Sequence, residues 1–491
     1  IGQLHLTLPQ LQRLGRTLRQ ADWQITAVLH TPHPTSDIPN PPSQLLDLQP
    51  GHDPAPPWGI AVDIGTTTVA VWLVDLRSGA VLAQAAEYNR QIQRGEDVIS
   101  RIIYAAKNGA AAELRDLVLN SINTLIDRLC QRATHSDIQH PKSNILKATV
   151  SGNSTMIHLL LGIPAESIRL SPFVTAVNHL PTLPAAAVGL DMHPDGLVDC
   201  LPGVASYVGA DISAGVLSSG LDDDAQPSLF LDVGTNGETV LGCRDWLVTC
   251  ACSAGPAFEG AGVRHGMRAT RGAIEEVWIN GDSFEPTCRV IGGGAPRGLC
   301  GSGLISLLAE MFLTGLLDKK GNVNLDLPTP RVRTGEHGPE YVVAWAAETQ
   351  HGQDIAITRV DVDNLLRAKA AIYAGFSVLA DSIGYPLAEV AQVRVGGSFG
   401  KYINVEKAVQ IGLLPDLPWE RFQFLGNTAV LGAYLALIDH AARARIADIA
   451  SRMTYIELSA DNAFYEAFTS ALFLPHTDMA RFPSVAAQLE N

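Results

Sequence analysis

Cysteine is scarce in this chain, and the first of only seven is Cys130. The others are Cys200, Cys243, Cys250, Cys252, Cys288 and Cys300. An odd, thinly spread set fits reduced thiols better than a disulfide framework. Long apolar runs are missing too: none reaches the roughly 18 residues a bilayer-spanning helix needs. The opening residues, Ile1-Gly2-Gln3-Leu4, are not a basic segment followed by an apolar one, so no secretory signal is read there. A cytoplasmic setting is the expectation. An initial Ile in place of Met sets the expectation of a fragment or processed chain. Positive charge is in deficit, with 35 Lys and Arg against 50 Asp and Glu and a net charge of −15. That balance argues against a sequence-independent grip on nucleic acid or anionic lipid, but not against a small anion held by backbone N–H groups. The 14 histidines show no metal-ligand spacing.

What is present describes an ordinary folded protein. Hydrophobic residues make up 46% and charged residues 17% of 491. That length exceeds what one hydrophobic core serves and predicts two or three domains. Residues 1–30 read as a small folded piece, with Leu4 and Leu6 alternating as in a strand and Pro9 to Arg19 carrying helix-like leucines. Residues 31–57 hold nine prolines and read as a linker. The main body starts at Trp58 and reads as two portions, 58–220 and 221–491.

Within the body, Gly59 to Asp63 reads as a buried strand, followed by a Gly-Thr-Thr-Thr turn, a strand at 69–76 and a third beginning at Gly79. Strand, glycine turn, strand is a hairpin. The unit recurs: Ser228 to Asp232 is an apolar strand, Val233 to Gly237 turns, and 238–242 leads away. D-I-G-T-T at 63–67 is thus echoed by D-V-G-T-N at 232–236, which predicts two related α/β halves. Helices are expected over 97–108, 111–132, 301–316, 361–383, 427–442 and 462–472, and a short strand at 455–458.

The chemistry follows from the loops. A triphosphate needs many donors and close backbone approach; glycine permits the approach, and Thr and Ser hydroxyls add donors. Gly65, Thr66, Thr67 and Thr68, with Gly234, Thr235, Asn236 and Gly237, supply both. Asp63 and Asp232 end their strands beside these loops, where carboxylates can hold a hydrated Mg²⁺ or orient a water. A third loop, Gly396-Gly397-Ser398, follows the strand 393–395 and lets a flat base lie against the backbone. Glu238 and Glu259 are possible partners for ribose hydroxyls or metal-bound water. Arg90, Arg94 and Arg101 fall in a stretch, 89–102, that either edges the cleft or, the favoured reading, forms a solvated face. Cys250-Ala251-Cys252 read as packed thiols rather than cluster or metal ligands, since C-x-C is not a [2Fe–2S] spacing.

These three loops resemble the nucleotide motifs of the actin, sugar-kinase and heat-shock-chaperone superfamily. Further strings narrow the resemblance: V-S-G-N-S-T-M at 150–156, Y-V-G-A-D-I-S-A-G at 207–215, S-A-G-P-A-F-E-G-A at 253–261, L-C-G-S-G-L at 299–304, R-A-K-A-A-I-Y-A-G at 367–375 and V-G-G-S-F-G at 395–400. Together they are similar to the ATP-binding region of the reductive activators of corrinoid proteins. The resemblance implies two actin-like halves around a nucleotide cleft, preceded by a small α+β segment and the Pro-rich linker. It makes residues 1–30 the remnant of a middle domain and gives 221–491 a C-terminal extension. It adds Gly301 and Ser302 to the nucleotide-binding residues. It implies ATP and Mg²⁺ as cofactors, slow ATP hydrolysis, a homodimer, and a corrinoid protein as partner, whose cobalt is returned from Co(II) to Co(I). The family's [2Fe–2S] electron carrier lies in an N-terminal domain whose four clustered cysteines this chain lacks, so that domain is expected upstream or on another protein. Two other readings share the cleft: a small-molecule kinase, and a non-catalytic assembly or chaperone-like protein that uses ATP as a switch.

Overall fold

The strand Trp58–Ile64 is buried at every residue, as a sheet covered on both faces requires. The computed structural model, which describes residues 4–32, 41–52, 55–133, 141–234, 236–397, 403–458 and 462–490, places this strand at the middle of a six-stranded sheet. The order is Val81–Tyr88, Thr68–Asp75, Trp58–Ile64, Ile145–Gly152, Leu197–Cys200, Leu183–Pro184. The first three strands are antiparallel, and Trp58–Ile64, Ile145–Gly152 and Leu197–Cys200 run parallel. Helix Ala110–Ala133 packs on the hairpin strands through Leu114, Val118, Ile122, Leu125 and Leu129, a spacing of three to four that keeps one face on the sheet.

A second six-stranded sheet repeats the plan. Its order is Phe422–Gly426, Val393–Gly396, Ser228–Val233, Gly237–Gly242, Leu247–Cys252, Met453–Tyr455. Again three antiparallel strands are followed by parallel ones joined on the side of the first. Five strands therefore share one order in both sheets, so the duplication read from the Asp-Gly-Thr turns extends to topology. The two sheets belong to two compact units: Ile1–Ser218 with Ala429–Arg452, and Ser219–Thr428 with Met453–Asn491. In the first unit, helix Thr428–Ile438 comes close because its residues are small: a Cβ on Gly432 would stand 2.2 Å from the Ala214 carbonyl oxygen. In the second, helix Arg359–Ser382 is capped by Thr358 and Asp361 and lies under strands 237–242 and 247–252. Two further three-stranded sheets, around Ala273–Ile279 and Gly338–Ala344, complete that unit.

Most expected elements occur within a few residues of their bounds, including Val98–Ala105, Gly301–Leu313 and Asn462–Ala471. Three readings are corrected. The segment read as a linker contains the strand Ser43–Pro50, centre of a three-stranded sheet with Leu4–His5 and Ile25–His30. Its prolines sit at the strand's edges, leaving the N–H groups of Ser43 to Gln49 to pair. Buried Leu46 joins Leu146 and Leu197, so this piece is packed on the first sheet. The single helix expected over 427–442 is two, Thr428–Ile438 and His440–Arg452. Finally, Arg101 does not lie on a solvated face, as detailed below.

Candidate nucleotide site

In the first unit Asp63 is the penultimate residue of its strand, 8% exposed, with Ala70 and Ser151 as its cross-strand neighbours. The turn that follows is held from several sides. Gly65 N–H donates to the Thr68 carbonyl at 2.9 Å, and a Cβ on Gly65 would stand 2.7 Å from that oxygen, so a side chain there would displace the turn. Asn89 donates its side-chain amide to the Gly65 carbonyl at 3.0 Å and its backbone N–H to the Thr67 carbonyl at 2.9 Å. Arg101 donates to the Thr66 carbonyl at 2.6 Å, and Asn153 to the Thr66 hydroxyl at 3.0 Å. Three consecutive carbonyls are thus engaged by the protein. Because peptides are planar, the N–H groups of Thr66 and Thr67 point the opposite way, as an anion-binding turn requires.

Two other strings converge on the same edge. Asn153 follows the strand Ile145–Gly152 directly and caps helix Ser154–Leu161 by accepting from Met156 N–H. A Cβ on Gly209 would lie 2.5 Å from Asn153 Cα, and Ser154 donates to the Ala205 carbonyl at 2.6 Å. The turns of 63–68, 150–156 and 207–211 therefore meet beyond the carboxyl ends of parallel strands, the customary ligand position in an α/β sheet.

Sequence reasoning gave Asn89 and Asn153 no role of their own and favoured a solvated face for Arg101, which is buried instead. The signal was available for the last: Arg101 stands three residues after Val98 and one before Ile102, the buried positions of its helix. Arg90 and Arg94 do reach the surface, pairing with Glu87 and Glu113.

In the second unit Asp232 is likewise penultimate in its strand, flanked by Glu238 on one side and Gly396 on the other. Gly397, at φ 91°, lies so close that a Cβ would stand 2.5 Å from the Val233 carbonyl and 3.0 Å from an Asp232 carboxylate oxygen. Gly396 is pressed between the Thr428 hydroxyl and the Phe230 ring. The Gly-Gly turn and the Asp232 turn are therefore one structure. Gly234 N–H donates to the Asn236 carbonyl at 3.1 Å, and a Cβ on Gly234 would be 3.6 Å from a Glu259 carboxylate oxygen. Gly237 is buried beneath, its Cα facing Cys252 Sγ and Ile372, so its glycine answers a packing need. Gly301 and Ser302 open helix Gly301–Leu313, which packs on the short turn Ala257–Glu259. Thr235 and Ser398 lie outside the described residues.

The cysteines serve packing. Cys250 donates to the Gly375 carbonyl and Cys252 to the Gly237 carbonyl, and burial raises both thiols well above their ordinary range. Burial likewise pushes Cys200 up to about 12.

Comparison with known proteins agrees with this geometry. Residues 226–486 match the family described as "C-terminal domain of RACo the ASKHA domain", and residues 58–224 match "RACo middle region". A solved "Reductive activator for corrinoid,iron-sulfur protein" superposes with a TM-score of 0.89 at 44% identity, covering 98% of this chain and 75% of that one. The corrinoid activation enzyme RamQ of Eubacterium limosum is 35% identical over 435 residues, 87% of this chain and 72% of that protein. A reductase of the Co(II) methylated amine-specific corrinoid protein from Methanosarcina barkeri is 24% identical over 429 residues, 81% of this chain and 73% of that protein. With more than half of its length in the C-terminal domain family and the remainder of the match in the middle region, the chain belongs to the RACo family of corrinoid-protein activators and carries its actin-like domain.

Proposed function

We propose that this protein is an ATP-dependent reductive activator that returns the cobalt of a corrinoid protein from Co(II) to Co(I). The observation that supports it most is the pair of carboxylate-ended glycine turns, each built into the same five-strand plan, within a chain whose relatives are named for acting on corrinoid proteins. The residues present fit a nucleotide. Gly65 and Gly397 stand where a Cβ would fill the turn, and the carbonyls of the first turn face inward. Asp232 and Glu238 are cross-strand partners on one face, an arrangement that a divalent cation offsets.

In this reading Gly65 to Thr68 and Gly234 to Gly237 bind phosphate, and Asp63 and Asp232 hold the hydrated Mg²⁺ and orient water. Gly396 to Ser398 receive the adenosine, and Gly301 and Ser302 complete the set. Bound ATP supplies a phosphoanhydride whose cleavage is strongly downhill. The electron is proposed to come from an iron–sulfur carrier other than these seven packed cysteines. Slow hydrolysis by the protein alone, a homodimeric state and a cytoplasmic setting belong to the same reading and rest on the family resemblance.

The test is direct. The protein, a Co(II) corrinoid protein, a low-potential reductant and Mg-ATP are mixed without oxygen, and Co(I) is followed by its absorbance. Co(I) should form faster with ATP than without. Equal rates, or a phosphorylated small molecule as the product, would reject the reading.

A further inference from the structure

Arg101 is fully buried, and among the described residues it is the largest side chain to be so. Its guanidinium donates to four groups: the carbonyls of Gly95 at 2.9 Å and Thr66 at 2.6 Å, the side-chain oxygen of Gln91 at 3.2 Å and the sulfur of Met156 at 3.2 Å. None of the four is charged. The acid that bears on it is Asp97, which stands exposed at the cap of the helix and makes no ion pair with it. Burial depresses the guanidinium to about 10, so it stays protonated at neutral pH. A buried cation satisfied only by neutral acceptors is costly, and proteins keep one where an anion completes it. This cation touches the turn whose N–H groups face the other way.

We infer that Arg101 is a positioning residue for the phosphate turn, which it holds through the Thr66 carbonyl while its uncompensated charge favours the anionic end of the nucleotide. This rests on the nucleotide reading proposed above. It makes a prediction that a purely structural role does not: loss of the charge should weaken a ligand in proportion to the ligand's negative charge.

Calorimetric titration of ATP, ADP and adenosine into the wild-type protein, Arg101→Met and Arg101→Lys tests it. Arg101→Met should lose ATP affinity by at least about tenfold, ADP affinity by less, and adenosine affinity hardly at all. Arg101→Lys should recover much of the charge-dependent part. Gln91→Glu provides a second route should Arg101→Met fail to fold. It keeps the arginine but sets a carboxylate where Gln91 now accepts from it, and it should reproduce the graded loss. Equal losses for all three ligands, or none, would show that Arg101 only supports the fold. Failure of the wild-type protein to bind ATP would instead overturn the nucleotide reading and this inference with it.

Discussion

At the residue scale the two Asp-ended turns divide into groups that fix backbone and groups proposed to face a ligand. Gly397 is of the first kind. Its positive φ and the 2.5 Å from a would-be Cβ to the Val233 carbonyl leave no room for alanine. Gly397→Ala should cost about 1–3 kcal/mol of stability and abolish nucleotide binding, read by chemical denaturation and calorimetry. Asp232 is of the second kind. Asp232→Ala should reduce Mg-dependent ATP hydrolysis by an order of magnitude or more while moving the unfolding midpoint little, because it also relieves a like-charged neighbour, Glu238. An Asp232→Ala protein that unfolds as readily as Gly397→Ala would show that the carboxylate is structural.

At the element scale, amphipathic helices and the apolar strands before glycine turns were legible, and the strand Ser43–Pro50 was not. Helix Ala110–Ala133 announces itself by a leucine and isoleucine every three or four residues. Ser43–Pro50 offers only seven residues between Pro42 and Pro50, and no local signal says that a partner strand awaits it. The junction it forms has a titratable group at its edge. His30 Nδ1 meets Lys147 Nζ at 3.3 Å, beside Asp199 and Arg443, and burial followed by the Lys147 charge lowers the imidazole to about 4. An unfolded His30 titrates near its ordinary 6.5, so the unfolded state binds the extra proton between pH 6.5 and 4. Stability should therefore be complete above pH 6.5 and fall as pH drops through that window. His476, also lowered to about 4 by burial, adds in the same direction. His30→Asn, which keeps an acceptor for Lys147, should lessen the slope of unfolding free energy there by at most about 1.4 kcal/mol per pH unit. An unchanged slope in a pH series of denaturation curves would place the lost stability elsewhere.

At the scale of the molecule, a net charge of −15 gives no bulk attraction for an acidic partner, so recognition must depend on shape and local groups. If ATP acts by biasing conformation, binding of nucleotide and of the corrinoid protein must be linked. Nucleotide should change affinity for the corrinoid protein by about 5–150-fold, and the corrinoid protein should change nucleotide affinity by the same factor. Calorimetry on both arms of the cycle checks this; independent binding would leave ATP without a conformational role.

The sequence by itself determined the duplication, because an apolar strand ending in Asp-x-Gly-Thr is a local pattern and each copy carries its own turn chemistry. It also pointed to the glycines at 65, 396 and 397, where the structure leaves no room for a side chain. Only tertiary structure decided what supports those turns. Asn89, Arg101 and Asn153 reach Gly65 and Thr66 from 24, 35 and 87 residues away, across a helix entry and a neighbouring strand. A charge on a helix reads as solvated until the packing is known. Burial of Arg101 depends on which face of Val98–Ala105 meets the neighbouring helices Ala110–Ala133 and Ser154–Leu161, and long-range contacts alone set that.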